Sequence, residues 1–272
     1  MLITGASSGI GKACAEYLFM RRCRVYGTSR RAPRVDPRST PPEAVPLFQT
    51  IPLDITSDES VEQAVSLVLE SEGRIDAVVN NAGFGLAGAV ESTSIDEARE
   101  QFETNFFGTM RVCRAVLPAM RRQGRGHILN VSSIAGRIGV PFQAIYSATK
   151  FAVEGFSEAL RLEAAPFGIR VVLIEPGDFR TGFTAGRRRA AGADVGAYAE
   201  RQAAALHVME HDEMQGATPE AVGRLVHRVI MMRFPATRYA VGPVTETFAL
   251  ALKRFAPSRL FEWGLARYYR IG

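Results

Sequence analysis

The chain has 272 residues, 47% of them hydrophobic and 22% charged, with a net charge of +5. That balance suits a soluble globular protein with a substantial core, as one large α/β domain or two small ones. No uninterrupted apolar run reaches the roughly 18 residues that cross a bilayer, and the basic residues are spread along the chain without a nucleic-acid-binding signature, so no nucleic-acid partner is expected.

Short apolar runs alternate with longer amphipathic ones, the pattern of a parallel sheet covered by helices on both faces. Strands are predicted at Met1–Thr4, Arg24–Thr28, Phe48–Leu53, Ala77–Asn80, Gly126–Val131, Arg170–Glu175 and Arg238–Val241. Helices are predicted at Gly9–Arg21, Ser57–Ser71, Ile95–Arg122, Tyr146–Ala165 and Pro219–Met232. Right-handed crossovers then give one doubly wound, seven-stranded parallel sheet, with ligands at the carboxyl ends of its strands. The first strand is short for a central one: either it is truly brief, or the native chain starts upstream of Met1. No signal peptide is expected, because glycine-rich loop chemistry begins at Thr4. Cys14, Cys23 and Cys113 are scattered, odd in number and without metal-site spacing, which fits reduced thiols in the cytoplasm.

Thr4-Gly5-Ala6-Ser7-Ser8-Gly9-Ile10-Gly11 lies between the first strand and the first helix. Glycines there let the backbone turn sharply and approach a pyrophosphate, whose charge is favoured at a helix N-terminus. Further on, Tyr146 and Lys150 stand four residues apart on a predicted helix, which puts their Cβ atoms on one face about 5–6 Å apart. A fixed ammonium beside a phenol favours the phenolate and lowers its pKa from about 10. At the end of the second strand the sequence Thr28-Ser29-Arg30-Arg31 has no carboxylate to bind a ribose 2′-hydroxyl. Arginine instead suits a 2′-phosphate, with Arg30 the first candidate and Arg31 the second.

In their order and spacing TGASSGIG (4–11), NNAG (80–83), Asn105, Ser133, Tyr146-x-x-x-Lys150 and Pro176-Gly177 resemble the compact short-chain dehydrogenase/reductases, over nearly everything from Met1 to Thr181. The resemblance implies a Rossmann fold and an oxidoreductase that interconverts a carbonyl and an alcohol. Tyr146 would be the general acid/base and Ser133, rather than the neighbouring Ser132, would hydrogen-bond the reacting oxygen. Lys150 would tune Tyr146 and hold the nicotinamide ribose, while Asn105 would help hold a relay water. Gly5, Ser7, Ser8, Gly9, Ile10 and Gly11 would cradle the dinucleotide. Asp54 with Ile55, and Asn81-Ala82-Gly83, would meet its adenosine half; Pro176, Gly177 and Thr181 would meet the nicotinamide end. Asn80 is read chiefly as a brace of the central sheet. With Arg30 and Arg31 in place of an acid, NADP(H) is expected over NAD(H).

After Thr181 the resemblance loosens. Residues 1–272 are read as a single domain, with 182–216 as a substrate lid and 245–272 as a C-terminal helical extension. Arg187-Arg188-Arg189 is read as an exposed charge run rather than a CoA-type anion site. His207 and His211 share helical spacing but lack a third ligand, so no metal is expected. The tail mixes Leu260, Phe261, Trp263, Leu265, Tyr268 and Tyr269 with Arg259, Arg267 and Arg270. Such basic-aromatic character suits membrane-surface contact, pocket cover or packing in a homodimer or homotetramer. A small, fairly apolar carbonyl or alcohol is the expected substrate. The rivals are a non-catalytic, dinucleotide-sensing Rossmann protein and a membrane-peripheral dehydrogenase of the steroid or retinoid type.

Overall fold

The computed structural model describes residues 1–30, 48–192 and 196–272. In chain order its strands are β1 (Leu2–Ile3), β2 (Tyr26–Ser29), β3 (Gln49–Pro52), β4 (Ala77–Asn80), β5 (Leu86–Ala87), β6 (Gly126–Val131), β7 (Ile169–Pro176), β8 (Arg188–Arg189) and β9 (Arg238–Val241). Between and after them run α1 (Gly9–Met20), α2 (Asp58–Glu72), α3 (Ile95–Phe102), α4 (Gly108–Gln123), α5 (Ala144–Ala164), α6 (Phe183–Gly186), α7 (Ala199–Gln215), α8 (Glu220–Met231), α9 (Val244–Phe255) and α10 (Ser258–Tyr268). The main sheet has seven parallel strands in the order β3-β2-β1-β4-β6-β7-β9, the expected doubly wound arrangement. A separate pair, β5 and β8, ties the segment after β4 to the segment after α6.

Side-chain alternation along the strands divides the core into two layers. Leu2, Val78 and Ile128 pack with α2, α4 and α5 on one face. Ile3, Val79 and Leu129 face the other way, onto α1 and α8. Two-sided burial explains why β4 reads Ala-Val-Val-Asn with every residue buried. Its last residue is polar because it is paired: Asn80 Nδ2 donates to Asn130 Oδ1 at 2.8 Å, and Asn130 Nδ2 donates to Ser157 Oγ at 2.8 Å. This chain of amides joins β4, β6 and α5, which supports reading Asn80 as a sheet brace.

Three local departures from the expected elements bear on the cleft. The helix expected as continuous over Ile95–Arg122 is α3, a π-helical turn at Glu103–Phe107, and then α4. Wide turns of this kind displace a side chain without breaking the helix, and no Pro or Gly within Glu103–Phe107 signals it. The segment 199–215, expected to form part of the lid, is the regular helix α7; Ala, Glu, Gln, Leu and Met dominate it. β1 is shorter than expected, with Leu2 and Ile3 alone paired to β2 and β4.

Candidate active site

The glycine-rich loop leaves β1 and is fixed from beneath by β4. Thr4 Oγ1 accepts from the backbone N–H groups of Asn81 and Ala82 at 2.9 and 3.0 Å, and Asn81 Nδ2 donates to the carbonyls of Thr4 and Gly5 at 3.0 and 3.2 Å. Gly5 has φ +66, and a Cβ there would lie 2.9 Å from Ala82 Cα. A Cβ on Gly11 would strike the Gly5 carbonyl oxygen and Asn81 Nδ2. The loop is therefore a close-packed cradle that accepts only glycine at these places. It leaves the turn at the N-terminus of α1 facing a cleft of about 1280 Å³. That is more than a single drug-sized ligand needs and suits a dinucleotide with a substrate beside it.

Strand ends form the floor of this cleft. Gly5, Ser7, Ser8, Gly9 and Ile10 line it from the first loop, Arg30 from the end of β2, and Asp54 and Ile55 from the end of β3. Asn81, Ala82 and Gly83 line it from β4, and Pro176, Gly177 and Thr181 from β7 and beyond. Gly11 lies behind the loop as packing rather than lining. Arg31 falls outside the described residues. Asp54 Oδ1 accepts from Thr56 N and Thr56 Oγ1 at 2.9 and 2.8 Å, and these bonds, with Arg30 and Arg111 nearby, hold its carboxyl below the usual range. Pairing with its own turn is the helix-entry role that an aspartate there plays without any ligand.

The candidate catalytic side chains converge at the nicotinamide end. Ser133 follows β6 and its Oγ accepts from Ala135 N at 3.1 Å, capping the short turn Ile134–Gly136. Its hydroxyl donates to the Pro176 carbonyl at 3.4 Å and lies near enough to the Tyr146 phenol to lower its pKa. Ser132 turns its Oγ toward Gly136 on the far side of that turn. One helical turn after Tyr146, Lys150 is 6% exposed and donates from Nζ to the Val131 carbonyl at 2.9 Å. Its ammonium lies 5.7 Å from the centre of the Tyr146 ring.

Electrostatics here differ from the sequence expectation. Tyr146 is pushed up to about 12, chiefly by burial; Ser133 and Arg187 pull the other way, while Glu213 and Asp178 push it further up. Lys150 is pulled down to about 8 by burial, with Glu154 opposing. Loss of hydration thus dominates both groups in the free protein.

Asn105 occupies the π-helical turn and is 1% exposed. Its Oδ1 accepts from Phe84 N at 3.0 Å, and its Nδ2 donates to the Phe84 carbonyl at 3.0 Å and to Thr149 Oγ1 at 3.2 Å. Both amide hydrogens are thus used to fix the segment after Gly83 against α5. The geometry provides a clamp on Phe84, and a water here would meet Asn105 through an acceptor oxygen rather than an amide hydrogen.

The substrate half of the cleft is lined by residues outside the motifs. Leu252 of α9, Ala256 between the helices, and Leu260 and Leu265 of α10 line it, with Phe183 of α6 and Met209 of α7. The Phe183 ring lies 5.8 Å from that of Tyr146. Asp178, Asp212, Glu213 and Glu246 line it as well. Asp178 directly follows the Pro-Gly pair, the one sequence cue; Glu246 is 68 residues further on and carries none.

The sequence profile described as short chain dehydrogenase matches residues 1–211. The chain belongs to the short-chain dehydrogenase/reductase family. Its oxidoreductases act on CH–OH and C=O groups with a dinucleotide cofactor, and the cradle, cleft and Ser133–Tyr146–Lys150 grouping of this short-chain dehydrogenase/reductase fit that chemistry. A 3-ketodihydrosphingosine reductase of Bacteroides thetaiotaomicron is 41% identical over 273 residues, covering 100% of this chain and 98% of the relative. A crystal structure of a short-chain dehydrogenase from Streptomyces avermitilis is 34% identical with a TM-score of 0.82, covering 98% of this chain and 96% of the other. The closed form of serine dehydrogenase complexed with NADP+ is 28% identical with a TM-score of 0.74, covering 90% and 96% of the two chains.

Proposed function

We propose that the protein is an NADP(H)-dependent reductase of lipophilic ketones, and that a long-chain amino ketone of the kind named for the Bacteroides relative is its substrate class. The observation that carries this reading is the Ser133–Tyr146–Lys150 grouping facing a cleft whose far wall is the apolar inner side of α9 and α10. A nicotinamide, when bound, supplies the hydride. Gly5, Ser7, Ser8, Gly9 and Ile10 hold the cofactor's phosphates, Asp54, Ile55 and Asn81 to Gly83 its adenosine half, and Pro176, Gly177 and Thr181 its nicotinamide end. Tyr146 donates its proton to the carbonyl oxygen, and Ser133 hydrogen-bonds the same oxygen. A phenol held near 12 stays protonated at neutral pH, which suits proton donation and hence reduction. Lys150 steadies the phenolate left behind and holds the ribose. Asn105 positions Phe84 and Thr149 around them.

Arg30 at the cleft and the lack of a carboxylate at the end of β2 support NADPH over NADH. Steady-state kinetics with both cofactors test this. NADPH should be favoured at least tenfold, about 1.4 kcal/mol, and Arg30→Asp should reverse much of that preference. An NADH preference in the wild type would end the assignment.

The same reading takes 182–216 as the substrate lid and places the enzyme in the cytoplasm as a homodimer or homotetramer; the free thiols of Cys14, Cys23 and Cys113 support a reducing compartment. Membrane-surface contact is a second reading, favoured by one feature. Val244, Phe248 and Phe255 are exposed along α9, beside Lys253 and Arg254, and Trp263 of α10 is exposed as well. Co-sedimentation with anionic liposomes, with and without Phe248→Ser and Phe255→Ser, separates the two, as does the mass of the protein in solution.

A further inference from the structure

Past the catalytic pair, the buried side of α5 carries one more ionisable group. Tyr146, Lys150 and Glu154 follow at four-residue spacing and all three are buried, Glu154 with 5% exposure. Glu154 Oε2 accepts from Arg238 Nη2 of β9 at 3.2 Å. Arg238 Nε also lies 3.1 Å from Glu175 Oε1 of β7, as does Arg137 Nη1, and the Arg238 guanidinium reaches the half-exposed Glu158. One oxygen of Glu154 is thus anchored by a group of charges that extends to the surface. The other, Oε1, is buried without a hydrogen-bond partner, and so is Ser132 Oγ. These two side chains flank Gly136, where a Cβ would lie 2.5 Å from Ser132 Oγ and 3.2 Å from Glu154 Cγ.

A brace between α5 and β9 uses Oε2 and Arg238 alone. The remaining half of the carboxylate stays buried one helical turn from Lys150, whose Nζ donates to the neutral Val131 carbonyl. Burial draws Lys150 down, and Glu154 is the charge that opposes this. A buried ammonium without a counter-charge gives up its proton, and the neutral amine cannot steady a phenolate. The groups around this pair are Tyr146 and Glu158 on α5, Glu175 on β7, Arg238 on β9 and Arg137 after the turn Ile134–Gly136. Lys253 of α9 donates to the Arg137 carbonyl, and the π-helical turn presents the neutral Asn105 to α5. Burial, with Glu175 beside it, pushes the Glu154 carboxyl up, while Ser132 and Arg238 pull it down. Tyr146 also feels Glu213, Arg187 and Asp178.

We propose that Glu154 is a positioning residue for the reduction: anchored by Arg238, its carboxylate is the counter-charge that the buried Lys150 ammonium needs in order to act on Tyr146. This rests on the reductase reading above and adds the group that keeps its lysine charged. Glu154 works through Lys150 and not on the reacting atoms.

The chain has three lysines, Lys12, Lys150 and Lys253. Heteronuclear NMR of protein labelled at its lysine side chains therefore follows each ammonium directly, with Lys150→Met identifying the Lys150 signal. Removing a negative charge disfavours the ammonium, so the Lys150 midpoint should fall by at least about 0.5 pH unit in Glu154→Gln. Glu154→Leu is a second charge-free variant and should show the same fall, since Arg238 keeps Glu158 and Glu175 in both. Glu154→Asp should restore most of the midpoint. The high-pH limb of kcat for a long-chain ketone with NADPH should move to lower pH in the charge-free variants and return in Glu154→Asp. A purely structural role would lower kcat at every pH and leave midpoint and limb in place. A midpoint unmoved in the charge-free variants, as follows if Glu154 is itself neutral where Lys150 titrates, overturns the proposal. So does a midpoint that falls while the limb stays. A midpoint that falls in a protein that reduces no ketone would keep the Lys150–Glu154 pairing and reject the reductase; turnover with midpoint and limb both unmoved would do the reverse.

Discussion

Replacing Lys150 by methionine should make the cofactor-free protein more stable while abolishing its activity. Lys150 is buried and its pKa is drawn from 10.5 down to about 8. The unfolded chain therefore binds this proton more tightly than the folded one. Below pH 8 both states carry it, and the folded state bears the full penalty of about 3 kcal/mol, from roughly 1.4 kcal/mol per pKa unit. As pH rises through the folded pKa toward the unfolded one, the penalty fades, so this group makes stability increase with pH in that window. Methionine has a similar length and no charge to bury. It forfeits the bond to the Val131 carbonyl, worth about 1 kcal/mol, leaving a net gain of about 2 kcal/mol near neutral pH. Urea unfolding of both proteins at about pH 7 and about pH 9.5 measures this, and the gap between them should narrow by about 2 kcal/mol at the higher pH. A gap that stays constant with pH would refute the depressed lysine. A variant less stable than wild type near neutrality would show that the carbonyl bond outweighs the buried charge.

Three other substitutions probe the cradle and the machinery. Tyr146→Phe should lower kcat by about 10²–10⁴-fold and leave NADPH binding, read by quenching of Trp263 or by nucleotide fluorescence, within a few-fold of wild type; unchanged turnover would remove Tyr146 from the proton step. Gly11→Ala should abolish NADPH binding and cost about 1–3 kcal/mol, because the new methyl group meets the Gly5 carbonyl and the Asn81 amide; calorimetric titration and thermal melts report the two effects separately. Asn105→Ala leaves the backbone N–H of Phe84 without its partner, while the Phe84 carbonyl keeps Gln101 Nε2. A loss of about 1–3 kcal/mol is expected, with a matching fall in Tm, and an unaltered melt would show that the clamp carries no weight.

The parts of this protein that could be read from sequence are those whose chemistry is local. The glycine cradle spans a few residues around one turn, and Tyr146 and Lys150 are a single helical turn apart, so spacing alone brings them together. The alternation of β4 and β6 with amphipathic helices likewise fixes the parallel sheet. What stayed hidden depends on distance or on competition. The π-helical turn at Glu103–Phe107 arises because Asn105 is drawn to Phe84 and Thr149, partners set by tertiary packing. Asp178 and Glu246 meet only because α9 folds back over the Pro176-Gly177 turn. Arg187, one of three consecutive arginines read as an exposed run, is buried against Glu213, whereas Arg188 and Arg189 remain half-exposed. The Tyr146 pKa departs from the spacing argument for a similar reason, since spacing shows a lysine one turn away but not the water lost from both groups.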